Sequence, residues 1–131
     1  MAKARILIVE DEAIIAMSLS LMLRNFGYEV AAQASSGREA VRLAEETRPD
    51  LVLMDVTLIG GMDGIEAAGR IRERRDVPVI YLTALADEET LRRALDTRPS
   101  GYLVKPFDER ELREAVEAAL GGHDEGAKPA S

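Results

Sequence analysis

The sequence predicts a single doubly wound α/β domain, a (βα)5 unit in which a five-stranded parallel sheet lies between two layers of helices. One observation is that five short apolar runs alternate along the chain with longer amphipathic stretches of helical period. Another is that four of these runs are apolar without polar alternation, as in strands that helices cover on both faces. Helices that join successive strands of one sheet imply parallel pairing with right-handed crossovers.

Each predicted strand is short, rich in Val, Ile and Leu, and bounded by polar residues, Gly or Pro. The predicted strands are RILIV at 5–9, YEVAAQA at 28–34, LVLM at 51–54, VIYL at 79–82 and YLV at 102–104. These runs predict strands rather than helices because they are too short for a typical helix and carry β-branched residues.

The helices between these strands have recognisable N-termini. Capping boxes, in which Ser or Asp is followed three residues later by Glu, are predicted for Ser36 with Glu39, Asp63 with Glu66, and Asp108 with Glu111. The acids of DEET at 87–90 suit the first turn of the fourth helix, where the helix dipole attracts negative charge. The first helix is predicted at about 12–26, with a broad apolar face made of Ile14, Ile15, Met17, Leu19, Met22 and Phe26.

The length of 131 residues predicts one domain with a sizeable core. We assign the domain to residues 4–120 and expect 121–131, which contains His123 and little apolar content, to be a flexible C-terminal tail. The absence of Cys excludes disulfides and thiolate metal sites. The N-terminus does not resemble a secretory signal, and no apolar run approaches the ~20 residues that span a bilayer. We therefore expect a cytoplasmic location and no membrane partner.

The net charge of −7, from 24 acidic and 17 basic residues, bears on the choice of partner. Basic residues are interspersed with acids, as in RIRERRD at 70–76 and DERELRE at 108–114. An acidic domain without a basic patch does not attract a phosphate backbone, so direct binding to nucleic acid is not expected.

Polar residues follow four of the five predicted strands. Strand one is followed by Glu10, Asp11 and Glu12, strand three by Asp55, strand four by Thr83 and Ala84, and strand five by Lys105. The carboxyl ends of parallel strands share one edge of the sheet, where such folds place their sites. We therefore expect these residues to converge in one crevice.

The residue types in that crevice point to phosphoryl transfer. Clustered carboxylates repel each other unless one is protonated or a cation binds, and an oxygen-rich site without His or Cys suits Mg²⁺ before Zn²⁺. Lys105 adds a compact positive charge, Thr83 a hydroxyl donor, and Ala84 a small side chain that lets its backbone N–H approach an anion. Asp55 is the central acid and the natural nucleophile, which forms an aspartyl phosphate.

Each of these residues alone has a plainer interpretation. Asp55 could cap a turn at a strand end, Lys105 could be solvated, and Thr83 could hydrogen-bond the following turn. Their coincidence at neighbouring strand ends favours a common site over three separate roles.

The motifs around these residues resemble the receiver domain of two-component response regulators. The matching motifs are ILIVEDE, LVLMDVTL, GMDGIEAA, PVIYLTALAD and GYLVKPFDERELREAV, in the order that the family has them. The resemblance covers residues 4–120. It implies a flavodoxin-like, CheY-like fold with strand order 2-1-3-4-5. It also implies a phosphorylation-dependent signalling switch rather than an enzyme, with self-catalysed phosphotransfer and autodephosphorylation as its only reactions.

The resemblance further implies the donor and the metal. Asp55 is expected to accept a phosphoryl group from a sensor histidine kinase or a histidine phosphotransfer protein. Asp11, Asp55 and the backbone carbonyl of Thr57 are expected to bind Mg²⁺, with Glu10 acting through water. Thr57 and Leu85 flank the site and are expected to tune water access and the rate of autodephosphorylation.

The resemblance also implies how the signal leaves the site. Lys105 and Thr83 are expected to hold phosphoryl oxygens, and the Lys105–Pro106 bond is expected to be cis. Thr83 and Tyr102 are expected to form a switch, in which the Tyr102 ring turns inward when Thr83 moves toward the phosphoryl group. The alternative is that Tyr102 is an ordinary aromatic residue beside the fifth strand.

The surface formed by the fourth helix, fifth strand and fifth helix is expected to change its affinity for a downstream protein. On that surface, Arg92 and Arg93 facing Glu114 and Glu117 are either solvated residues, which we favour, or the seam of a weak homodimer. If the 131 residues are the complete chain, no output domain is appended and output comes through protein contacts.

The loop at 56–62 departs from the commonest receiver pattern. Many receivers have a Pro and a shorter loop after the acceptor, whereas this chain has Ile59, Gly60 and Gly61 with one apparent extra residue. We expect a more mobile loop and an intact site. Glu10 also stands where many family members have Asp, a substitution that we expect the site to tolerate.

Two other functions compete with the switch. A Mg²⁺-dependent phosphatase of the haloacid-dehalogenase type has a second Asp two residues after its nucleophile, where this chain has Thr57. A non-switching receiver could serve as a scaffold or a phosphate sink. The intact acid set argues against a degenerate scaffold, and a partner whose binding depends on phosphorylation separates a switch from a sink.

Overall fold

The computed structural model describes residues 3–84 and 88–123, and within them strands and helices alternate as predicted. The strands are β1 Arg5–Val9, β2 Glu29–Ala34, β3 Leu51–Asp55, β4 Val79–Thr83 and β5 Gly101–Val104. The helices are α1 Ala13–Asn25, α2 Gly37–Thr47, α3 Gly64–Arg74, α4 Glu88–Asp96 and α5 Glu109–His123. The strand predictions are confirmed to within one residue at each end.

All strand pairs are parallel, and the sheet order is β2-β1-β3-β4-β5. The fold is therefore the predicted flavodoxin-like, CheY-like sandwich. Val9 at the end of β1 pairs with Met54 of β3, so the next residues of both strands, Glu10 and Asp55, lie side by side at the carboxyl edge. This register positions the site described below.

The sheet separates two hydrophobic cores, because successive side chains of a strand point to opposite faces. On one face, β1 residues Ile6 and Ile8 pack with buried residues of α1 and α5, such as Leu23 and Val116. The other face is covered by α2, α3 and α4, and its core includes Tyr81 of β4. Both faces of the central strands are thus buried, as their continuous apolar sequences predict.

Helix α1 differs from its prediction. Its buried stripe consists of Ala16, Leu19, Ser20 and Leu23. Ile14 and Met17, predicted on the apolar face, are 81% and 60% exposed, and Leu21 is exposed on the same side. The prediction was wrong for these residues because a helix lying on a sheet buries one stripe at i, i+3, i+4 and i+7, and the residues opposite that stripe face solvent.

The predicted caps are confirmed. The side chain of Ser36 accepts a hydrogen bond from the backbone N–H of Glu39, and Asp63 and Asp108 do the same for the residues three positions later.

The C-terminus differs from the prediction, since α5 continues through His123, so residues 121–123 are helical rather than part of a tail. Gly121 and Gly122 weaken a helix without forbidding it, and buried Ala119 anchors the preceding turn. Residues 124–131 of the predicted tail lie outside the described residues. Within the described ranges, no helix is both long and apolar enough to cross a membrane.

Candidate functional site

The carboxyl edge of the sheet brings together acids from β1 and β3 and a lysine after β5. Lys105 Nζ lies 3.2 Å from Glu10 Oε1 and 3.3 Å from Asp55 Oδ2. Glu10, Asp11 and Asp55 each offer a carboxylate oxygen within 4.8 Å of the others. The residues that were predicted to converge from these three strand ends do meet in one place.

Burial first, and then the charge of Asp55, raise the pKa of Glu10 to about 7, against the hydrogen bonds from Glu12 N–H and Lys105, which lower it. The Glu10 and Asp55 side chains are 0% and 5% exposed. Burial lowers the pKa of Lys105, but Asp55 and Glu10 outweigh this effect and raise it above its ordinary value. The cluster therefore keeps Lys105 charged and gives Glu10 a higher affinity for a proton, as expected for carboxylates that share a small volume.

The loop that follows β3 contributes backbone donors to this cluster. Thr57 N–H donates to Asp55 Oδ1 at 3.0 Å, and Ile59 N–H donates to Asp11 Oδ2 at 3.2 Å. Sequence reasoning missed the second contact, because a backbone N–H carries no sequence signal. The unusual length of the loop was the only sequence feature that pointed to this contact. Gly60, with a φ of 115°, provides a turn within the longer loop.

Gly64, the first residue of α3, fixes the distance between that helix and the site. Its N–H donates to Val56 O at 3.0 Å, and a Cβ on this residue would collide with the carbonyl oxygen of Asp55. The start of α3 therefore rests directly on the backbone of the predicted acceptor, and only Gly permits this approach.

A cleft of about 360 Å³ opens over the cluster. Its lining residues are Asp11, Glu12, Asp55, Thr57, Ile59, Ala84 and Lys105. The structure thus brings the predicted Glu12, Thr57 and Ala84 to the same cleft, and adds Ile59 to the predicted set. Leu85, predicted to tune the rate, lies outside the described residues.

The two predicted switch residues lie beside the cleft rather than in it. Thr83 is buried and lines a separate small cavity under α4, and Tyr102 lies at the same cavity with 46% of its surface exposed. The Lys105–Pro106 bond is cis, as expected. Arg93 of the predicted dimer seam pairs with Asp63 at the start of α3, and Glu114 pairs with Arg110 within α5.

The donor set of the cleft suits a hard cation. Its candidate ligands are carboxylate oxygens, and the chain has no Cys and a single His, which lies at the far end of α5. Oxygen ligands of this kind fit Mg²⁺, which takes one or two carboxylates and keeps positions for other oxygens. A parallel sheet of this order with an acid cluster and a lysine at its carboxyl edge defines the CheY-like class of α/β domains.

Comparison with protein families identifies the class further. A family model described as the response regulator receiver domain matches residues 6–117. The chain therefore belongs to that family, whose members are regulatory phosphoacceptor domains of two-component signalling rather than classical enzymes. This confirms the resemblance that the sequence motifs carry.

Individual relatives agree with this assignment. The chain is 47% identical over 116 residues to the transcriptional regulatory protein PdtaR of Mycobacterium tuberculosis, covering 88% of this chain and 56% of that protein. It thus spans little more than half of that relative.

Among solved structures, this chain is similar to the receiver domain of a sensor histidine kinase of Pseudomonas aeruginosa. That receiver domain has a magnesium ion coordinated in its active-site cleft. That match has a TM-score of 0.82 and 37% identity, and covers 92% of this chain and 99% of the other. A CheY-like receiver domain of Methanospirillum hungatei matches with a TM-score of 0.89 and 28% identity, covering 96% and 100%.

Proposed function

We propose that Asp55 accepts a phosphoryl group from a phosphohistidine, and that this event switches the surface formed by α4, β5 and α5. The observation that carries the proposal is the position of the Lys105 ammonium, within 3.3 Å of both Glu10 and Asp55 in the cleft at the carboxyl edge. A buried acid in an open cleft can be reached by a phosphoryl group, and the cation paired with the acid stabilises the negative charge that the group brings.

The reaction is a transfer between an imidazole nitrogen and a carboxylate oxygen. A carboxylate oxygen of Asp55 forms a bond to phosphorus as the N–P bond of the donor breaks, and the imidazole nitrogen keeps the electron pair and takes up a proton. In this proposal Lys105 balances the charge of one phosphoryl oxygen, and the backbone N–H of Ala84 donates to another; both residues line the cleft. The aspartyl phosphate is the one covalent species that the domain forms. Its other contributions are the positions of the reacting groups and the charges around them.

Magnesium is the cofactor that the donor set favours. We assign its ligands to Asp11, Asp55 and the backbone carbonyl of Thr57, with Glu10 acting through water. Bound Mg²⁺ supplies charge neutralisation for the incoming phosphoryl oxygens. The hydrogen bond from Ile59 N–H holds one oxygen of Asp11, and a held carboxylate is a better-oriented ligand.

The expected phosphodonor is a sensor histidine kinase or a histidine phosphotransfer protein. Exposed Ile14 of α1 lines a groove of about 330 Å³, together with Met22, Pro106 and Phe107. Lys105 lines both this groove and the cleft, so the two are neighbours. We infer that the groove receives the apolar face of the helix that presents the phosphohistidine, because a donor bound there has its imidazole beside Asp55.

Mass spectrometry after incubation with acetyl phosphate and Mg²⁺ tests the proposal. We expect an adduct with the mass of one HPO₃ group in the wild type, and none in Asp55→Asn. Asp108→Asn is the matched control, because Asp108 caps α5 away from the cleft and Asn is an equally good cap. An adduct that survives Asp55→Asn, or a wild type that forms none, contradicts the assignment of Asp55.

A further inference from the structure

The cavity under α4 is too small for the residue that is expected to enter it. Its volume is about 10 Å³, no more than a single water molecule needs. Tyr102 lies at its edge with 46% of its surface exposed. A phenol ring is several times larger than water, so the ring turns inward only if the lining of the cavity makes room. Four of the lining residues belong to α4, which is therefore the element that has to move. Whatever holds α4 in place therefore opposes the switch.

One contact holds α4 to the start of α3. Arg93 Nη2 of α4 lies 3.1 Å from Asp63 Oδ2, while Asp63 Oδ1 caps α3 by accepting from Glu66 N–H at 2.8 Å. A single carboxylate thus serves the cap with one oxygen and the neighbouring helix with the other. Asp63 also ends the loop that begins after Asp55, and the next residue, Gly64, rests on the Asp55 carbonyl.

A second contact holds the residues that directly follow α4, at the same end of the helix as Arg93. Arg72 Nη1 of α3 donates to the carbonyl oxygens of Thr97 at 3.0 Å and Arg98 at 2.7 Å, just after α4 ends. The Thr97 hydroxyl donates to Ala94 O at 2.7 Å, so it accepts from the buried Tyr81 hydroxyl, which lies 2.8 Å away. Side chains of α3 and β4 therefore hold the chain just after α4, next to the last turn that carries Arg93, and so restrain the C-terminal end of the helix that must move.

We propose that these contacts act as an autoinhibitory clamp. The α3–α4 clamp consists of Arg93 with Asp63 and of Arg72 with the carbonyls of Thr97 and Arg98. It holds α4 over the cavity and keeps Tyr102 outward in the unphosphorylated chain. The inference rests on the proposed function in that Tyr102 is taken as the switch residue. Because Asp63 belongs to the loop after Asp55, a change at the acceptor reaches the clamp directly, along a route separate from Thr83.

The clamp is tested by the solvent exposure of Tyr102 in the unphosphorylated protein. The chain has three Tyr residues and no Trp, so 3-fluorotyrosine labelling gives a simple ¹⁹F spectrum in which Tyr102→Phe assigns the signal. A soluble gadolinium chelate broadens the signal of an exposed ring. We expect Arg93→Gln to raise the inward-to-outward ratio of Tyr102 about 1.5- to 5-fold, the range for one half-exposed ion pair.

Two further variants make the test specific. Asp63→Asn keeps the helix cap and removes the charge, so it should raise the inward-to-outward ratio of Tyr102 as much as Arg93→Gln does. The double variant should raise that ratio no further than either single variant. Arg92→Gln removes the same charge from the adjacent residue, for which the described residues provide no ion pair, and should leave Tyr102 as in the wild type. Equal broadening in Arg93→Gln and Arg92→Gln overturns the clamp, as does full additivity in the double variant.

The clamp and the proposed function fail in different ways. If acetyl phosphate gives no adduct while Arg93→Gln still shifts Tyr102, the phosphoacceptor proposal fails and the clamp stands. If the adduct forms on Asp55 and Arg93→Gln leaves Tyr102 unchanged, the phosphoacceptor proposal stands and the clamp is wrong.

Discussion

Two ion pairs of nearly equal length, one in the cleft and one on the outer face of α5, have different physical consequences. Lys105 lies 3.2 and 3.3 Å from two acids that are 0% and 5% exposed, and Arg110 lies 3.3 Å from Glu114, which is 64% exposed. Water screens the surface pair, whereas in the cleft each charge depends on the others. Burial rather than distance therefore decides which of these contacts matters to the fold and to function.

The comparison also indicates why the cleft is kept charged. Three acids and one lysine leave an excess of negative charge in a small buried volume, which a fold under no functional demand avoids. A cation and a phosphoryl group together relieve that excess. The charges on the outer face of α5 face water, which screens them.

The largest effect is expected from removing the lysine. Lys105→Met leaves Glu10 and Asp55 without their counter-charge, and we expect a loss of about 3 kcal/mol in the free energy of unfolding at pH 8 in a chelator. Arg110→Met, the surface counterpart, should cost less than about 1 kcal/mol. Urea denaturation of both variants measures the difference. Equal losses would show that burial does not separate the two pairs.

The second effect concerns two glycines of the same helix. Gly64→Ala drives a methyl group against the carbonyl of Asp55, and we expect a loss of about 2 kcal/mol together with slower phosphorylation by acetyl phosphate. At Gly69 an added Cβ meets no atom within 4 Å, so Gly69→Ala should stabilise the helix by about 0.5–1 kcal/mol. Thermal unfolding of the two variants compares them, and a neutral Gly64→Ala would show that α3 does not rest on the acceptor.

The smallest effect, counted per pH unit, is a pH dependence of stability. The pKa of Glu10 is raised from 4.5 to about 7, so the folded chain binds a proton that the unfolded chain releases between these values. The stabilisation from this proton is complete below pH 4.5 and is lost as the pH rises through about 7, at less than about 1.4 kcal/mol per pH unit. The difference in stability between wild type and Glu10→Gln should follow this slope without metal. A stability difference between wild type and Glu10→Gln that rises with pH would contradict the assignment.

Much of this molecule follows from its sequence because its signals are local. Continuous apolar runs fix the central strands, and the capping pairs fix three helix starts to the residue. The convergence of Glu10, Asp55 and Lys105 also follows, because parallel strands expose their carboxyl ends at one edge. None of these predictions requires the distance between two elements of the fold.

The rest depends on how the elements pack, which no local pattern encodes. Apolar Ile14 fits the helical pattern of α1 as well as buried Leu19 does, and only the position of the sheet decides which one faces solvent. The hydrogen bond from Ile59 N–H to Asp11 and the contact of Gly64 with Asp55 both involve backbone atoms, which every sequence has. The pairing of Arg93 with Asp63 requires the distance between two helices.

Calorimetric titration of Mg²⁺ at pH 8 tests most directly whether the acids of β1 and β3 form one cation site beside Lys105. The account predicts one ion per chain, with binding weakened at least about tenfold by Asp11→Asn and unchanged in Asp108→Asn. Binding of the same strength in Asp11→Asn, or no binding to the wild type, would contradict it.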